Sequence, residues 1–147
     1  MPWKLTVRAG PRVERQRFDE LAAALDAAEQ RGVELARAAP RGSVDVKLKR
    51  FEPVQQVAAR IELAGPERLV PSVRAGVDVR GDGSTEAYLG RVRRELVDRR
   101  RGESTWGALR RVLANSKRRV DAVAANSERG ADTAAQQQVG EGDARNR

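Results

Sequence analysis

Asp45-Val46-Lys47 sets an acid and a lysine two residues apart in an alternating run, a spacing that brings both side chains to one face of a strand. Carboxylates on such a strand can hold Mg²⁺ for phosphodiester hydrolysis. That chemistry needs a companion acid arriving upstream in a Pro-Asp setting, and no such pair occurs here. Both residues also fit as ordinary outward strand positions, so a nuclease is not the reading adopted. The other reactive residue types are missing. With no histidine the usual general base and commonest metal ligand are absent, and with no cysteine so are thiolate nucleophiles and thiol zinc sites. Gly81-Asp82-Gly83-Ser84 is too short for a phosphate-cradling loop. Arg80-Gly81-Asp82 reads as a strand-ending turn, and Gln55-Gln56 as polar residues at a strand start. No enzyme and no cofactor are expected.

The abundant chemistry is cationic. The chain has 29 basic residues against 21 acidic ones, a formal +8, and all but Lys4, Lys47, Lys49 and Lys117 of the bases are arginine. Such a skew is also what GC-rich codon usage writes, but codon usage would spread it evenly. Residues 1–37 carry a net +1, residues 38–87 a net +1, residues 88–120 a net +8 and residues 121–147 a net −2. The excess therefore falls within 88–120. Arg91, Arg93, Arg94, Arg99, Arg100 and Arg101, followed by Arg110, Arg111, Lys117, Arg118 and Arg119, make up this patch. Guanidinium forks with few acids nearby suit phosphate, and binding there releases counterions. A solvated helical face, or cations near a helix C-terminus, would use the same residues.

Elements that could carry this charge follow from hydrophobic periodicity. Leu5, Val7 and Ala9 alternate with Lys4, Thr6 and Arg8 as in a half-buried strand. Gly10-Pro11 turns the chain, and 12–18 reads as the return strand of a hairpin. Asp19 is the expected N-cap of a helix, with Glu20 in its first turn, and Phe18, Leu21, Leu25, Ala28, Leu35 and Ala39 on one face. Gly32 lies on that face, as a close-packing point or a break. Three alternating runs, 44–48, 57–63 and 73–79, predict an antiparallel meander with one apolar face that helices must cover. Its outward residues include Lys4, Arg8, Lys47, Lys49, Arg60, Arg74 and Arg80 against Asp45, Glu62 and Asp78, none of them aromatic. Contacts from that face would be to phosphate, without base stacking.

Ser84 or Thr85 then caps a predicted helix with the stripe Leu89, Val92 and Leu96, ending near Gly102. A second helix starts at Ser104 or Thr105, with Trp106, Leu109, Val112 and Leu113 on one face. From Asp121 onward the apolar pattern dissolves, and the expectation is a disordered polar tail over 121–147 behind a single domain over 1–120. The fold class expected is α+β: an antiparallel sheet from an N-terminal hairpin, a helix and a three-stranded meander, covered by helices, with two basic C-terminal helices.

The hairpin followed by a helix entered through Arg17-Phe18-Asp19-Glu20-Leu21 resembles the small arm-type DNA-binding domains of integrases over roughly a quarter of the chain. That resemblance implies a DNA-contacting unit. The reading is a non-enzymatic basic module that binds DNA or RNA through phosphates with little sequence readout, residues 91–119 forming the main surface. The alternative is a protein-interaction module that docks an acidic partner or forms an oligomer, with Trp3 or Trp106 as its anchor. A tail folded back on the basic helices is a third arrangement. No signal peptide or membrane span is read, and a cytoplasmic location is expected.

Overall fold

A computed structural model describes residues 2–39, 44–46, 49–51, 56–65, 73–90, 93–119, 121 and 122. The expectations for Arg91, Val92, Lys47, Leu48, Gln55 and the tail beyond Ala122 lie outside the described residues. The chain divides into a compact body, Met1–Leu113, and a second unit, Ala114–Arg147.

The class is α+β. Six strands form one antiparallel sheet: β1 (Trp3–Ala9), β2 (Arg12–Phe18), β5 (Val57–Ala64), β6 (Arg74–Arg80), β7 (Thr85–Leu89) and β8 (Glu95–Leu96), in the spatial order β2-β1-β5-β6-β7-β8. Two short strands, β3 (Val44–Val46) and β4 (Lys49–Phe51), form a separate antiparallel ladder. Helix α1 spans Leu21–Arg37, and a second helix, α2, spans 105–119.

Strict alternation gives the sheet one dry face. Trp3, Leu5 and Val7 of β1, Ala59, Ile61 and Leu63 of β5, Ala75, Val77 and Val79 of β6 and Ala87 of β7 are all buried in one core. Onto them pack Leu21, Ala24, Leu25 and Ala28 of α1, at helical spacing, and Trp106, Leu109 and Leu113 of α2. The helix is not broken at Gly32, which is where it meets its neighbour: a Cβ there would overlap the Trp106 indole and lie 3.1 Å from Ile61 Cδ1. The opposite face carries no helix among the described residues, so this is a two-layer body with an open sheet face.

Three expectations are corrected. The segment 84–102, predicted as the first basic helix, holds β7 and β8. Its Leu89/Val92/Leu96 spacing mimics a helical stripe, but 85–89 also alternates, and the turn at Gly81-Asp82-Gly83 returns the chain beside β6. Arg80 N–H donates to Ser84 O at 2.8 Å, and β7 then pairs with β6 from Val79↔Thr85 to Ala75↔Leu89. The third meander strand is accordingly β7, while 44–46 pairs with 49–51 outside the large sheet. Finally, α1 begins one residue later than read: Glu20 is its N-cap, without a side-chain cap bond, because β2 keeps its pairing as far as Phe18↔Trp3.

Candidate anion-binding surface

Register builds the open face row by row. At one end, Arg17 of β2 faces Lys4 of β1, Lys4 faces Ala64 of β5, and Ala64 faces Arg74 of β6. The next row runs Arg15, Thr6, Glu62, Gly76, Tyr88, and the third runs Val13, Arg8, Arg60, Asp78, Glu86. With Arg80 and Arg94, eight cations share this face with three carboxylates among the described residues.

The carboxylates are all committed. Asp78, whose side chain is only 9% exposed, takes a two-point bond from Arg60 at 2.7 and 3.1 Å and lies 3.5 Å from Arg94. The Asp78 carboxylate raises the Arg60 pKa, chiefly by hydrogen bonding. Arg80 donates to Glu86 at 2.6 Å, and Arg8 to Glu62 at 3.3 Å. No described carboxylate pairs with Arg15, Arg17 or Arg74. The acids lie in the second and third rows, whereas two of these three arginines stand in the first.

That first row is also hollow. Ala64 is short, and a cavity of about 370 Å³ opens over it and over Thr6 of the next row, lined also by Lys4, Arg8, Arg17, Glu62, Arg74 and Tyr88. Tyr88 crosses β6 because position 76 is glycine: a Cβ there would lie 2.5 Å from the Tyr88 hydroxyl and 2.6 Å from the Ile61 carbonyl oxygen. The Arg94 guanidinium sits 4.6 Å above the ring centroid, a cation–π contact. Tyr88 is 3% exposed, and its hydroxyl is buried without a hydrogen-bond partner among the described residues. Burial, with Glu62 and Asp78 nearby, pushes that phenol up to about 12.

The residues of the predicted basic patch are spread over several elements and serve several ends. Arg93 and Arg94 lie in the β7–β8 connection and not on a helix, and Arg94 is held by Tyr88 and Asp78. Arg99, Arg100 and Arg101 are exposed in the loop before α2, also off any helix. Arg110 bridges to α1, donating to Asp26 at 2.8 Å and Glu29 at 2.7 Å. Arg111 forks onto Glu103 at 2.9 and 3.0 Å and reaches the Asp98 carbonyl at 2.8 Å. Glu103 also accepts the Arg100 backbone N–H at 2.9 Å, and Arg111 with that bond holds its carboxyl down at about 2. Lys117, Arg118 and Arg119 are exposed on the last turns of α2, in the second unit.

The predicted outward positions Lys4, Arg8, Arg60, Glu62, Arg74, Asp78 and Arg80 all stand on the open face, as the alternation implied. Asp45 and Lys49 belong to the separate ladder. Sequence reasoning missed Arg15, Arg17 and Tyr88. Tyr88 corrects the expectation of a face without aromatics, although its ring is covered by Arg94 and cannot receive a base as it stands. Its signal was the alternation of Ala87 and Leu89 with Glu86 and Tyr88 behind a glycine turn. Trp3 and Trp106, the anchors of the interaction reading, are each 6% exposed and belong to the core.

No described helix is long and apolar enough to cross a membrane. Comparison with family models, curated proteins and solved structures gave no match, so a functional reading rests on this geometry.

Proposed function

We propose that the chain is a non-enzymatic module that binds nucleic acid through its phosphates with little sequence readout, and that the open sheet face is its main contact surface. The observation that carries this is the set of arginines with no carboxylate partner among the described residues, Arg15 and Arg17 on β2 and Arg74 on β6, on a face that no described helix covers. An arginine held by an acid must break that pair before it takes a phosphate. An unpaired one gains a partner at no such cost, and counterion release adds to the binding. The exposed loop arginines Arg99, Arg100 and Arg101 retain a secondary role. Arg110 and Arg111 are better read as structural, since each already holds carboxylates from the body of the protein. An exposed surface whose single tyrosine is capped offers no free platform for stacking, which fits low base specificity.

The test is fluorescence anisotropy with random duplex DNA, single-stranded DNA and RNA across a salt series. Affinity should fall steeply with salt. In the triple variant Arg15/Arg17/Arg74→Gln the log–log salt slope should flatten by about 2 to 3, close to one per lost phosphate contact. Substituting Arg99, Arg100 and Arg101 together should matter less. The reverse ranking would return the main surface to the loop before α2. No binding at low salt to any of the three would sink the proposal.

A further inference from the structure

The open face is not uniform, and one part of it has the features of a pocket. Over Ala64, where the side-chain layer thins, Lys4 and Arg17 stand on one side and Arg74 on the other. Among the described residues, the space between them, about 370 Å³, is lined by four cations and one carboxylate, Glu62, which Arg8 already holds at 3.3 Å. Sites for small ligands start at roughly 300 Å³, so the hollow is large enough for more than an isolated ion. Tyr88 also lines it, with a buried hydroxyl that finds no acceptor among the described residues. Buried hydroxyls are nearly always paired, and an unpaired one beside a cationic hollow is a donor in want of an anion.

The geometry points to a phosphomonoester site: the hollow takes the terminal phosphate of a mononucleotide or of a nucleic-acid strand, gripped by Arg17 and Arg74 from either side, with the Tyr88 hydroxyl as a donor from the floor. This rests on the reading of the open face as phosphate-binding and adds a discrete subsite to it. A monoester carries close to two negative charges at neutral pH and three terminal oxygens, against one charge for a backbone diester. Cations on two sides of a hollow, with a donor beneath, can use that extra charge and those oxygens. A diester passing along the flat rows cannot bring them there. Because the phenol stays protonated far above neutral pH, it is a donor to the phosphate throughout the physiological range.

The experiment combines calorimetry with end-labelled strands on the full chain. Inorganic phosphate and adenosine monophosphate should bind saturably, and adenosine should not. Arg17→Gln and Arg74→Gln should each weaken the monophosphate by about tenfold, as expected for loss of a charged hydrogen bond. Tyr88→Phe keeps the ring and the fold, checked by circular dichroism, and should weaken it several-fold. Arg37→Gln, exposed on the last turn of α1, should leave it unchanged. Absence of phosphate and monophosphate binding, or binding that ignores Arg17, Arg74 and the Tyr88 hydroxyl, overturns the pocket. Two single strands, one 5′-phosphorylated and one 5′-hydroxyl, then separate the sources. Preference for the phosphorylated end identifies a strand terminus as ligand. Equal strand affinities beside site-dependent monophosphate binding identify a free nucleotide. Strands that bind equally while the monophosphate does not bind refute the pocket and leave the face reading standing. Monophosphate binding with no strand binding does the opposite.

Discussion

Tyr88 concentrates the conflicts of this chain in one side chain. Its ring is well used, buried between the strand surface at Gly76 and the Arg94 guanidinium, while its hydroxyl is buried without a partner among the described residues. A buried unsatisfied hydroxyl costs about 1–3 kcal/mol, whereas an apolar group of the same shape costs little. Tyr88→Phe should therefore raise the unfolding free energy of the unliganded protein by about 1 kcal/mol, read as a higher urea midpoint at unchanged slope. A lower midpoint would mean that the hydroxyl has a partner. The phenol gives a second readout, since it is the only tyrosine. Its folded value, about 12, lies above the ordinary 10, so its ionisation leaves stability untouched below pH 10 and takes stability away as pH rises from 10 to 12. Phenolate absorbance should accordingly appear near pH 12 in the folded chain and near 10 in urea. The glycine beneath the ring is equally constrained. A methyl group at 76 meets both the hydroxyl and the Ile61 carbonyl, so Gly76→Ala should cost about 2–3 kcal/mol.

At the scale of elements, α2 shows how a helix start is fixed. Ser104 Oγ accepts the Gly107 N–H at 3.0 Å, and Ser104 O accepts the Ala108 N–H at 3.0 Å, a cap that satisfies donors the first turn would leave open. Thr85 donates its hydroxyl to Thr105 at 2.8 Å, and Thr105 donates to the Thr85 carbonyl at 3.2 Å, tying the helix start to β7. Ser104→Ala should cost about 1 kcal/mol by denaturant titration. That cap was legible in the sequence, and so were β1, β5, β6 and the apolar stripes of both helices, because each repeats its period cleanly, while β2, which alternates less cleanly, was legible from the Gly10-Pro11 turn before it. Two features were not. A stripe at Leu89, Val92 and Leu96 fits a helix as well as 85–89 fits a strand, and only the free edge of β6 decides between them. Asp45 and Lys47 alternate as well as any strand residue, but alternation does not say which strand is the neighbour. The site suffered from both. Lys4, Arg8 and Arg74 were readable as outward residues, whereas the hollow among them depends on register: Ala64 and Gly76 must line up with Lys4 and Tyr88 across strands far apart in sequence.

For the whole molecule, the clustering of charge along the sequence dissolves in three dimensions. Residues 88–120 hold a net +8, yet folding spends Arg94, Arg110 and Arg111 on Asp78, Asp26, Glu29 and Glu103. Stability is thus tied to carboxylates staying ionised, and this sets the response to acid. The Glu103 carboxyl lies at about 2 in the folded chain against an ordinary 4.5, because Arg111 and the Arg100 N–H hold its charged form. Asp82 is also lowered, by the Ser84 hydroxyl and N–H. A lowered folded value means that the stabilisation is fully present above 4.5 and is lost as pH falls towards 2. Over the same window the 21 carboxylates neutralise and leave 29 uncompensated bases, so self-repulsion adds to the loss. The melting midpoint should therefore hold steady from neutrality down to about 4.5 and then fall steeply. Added salt separates the two causes. It screens the repulsion between exposed charges and should restore part of the midpoint, but it cannot rebuild a hydrogen bond to a protonated Glu103. Glu103→Gln should start lower at neutral pH and lose less on acidification, and the part that salt fails to restore should shrink in that variant. If salt restores the whole loss in both proteins, the Arg111–Glu103 clasp contributes nothing to acid stability and general repulsion suffices.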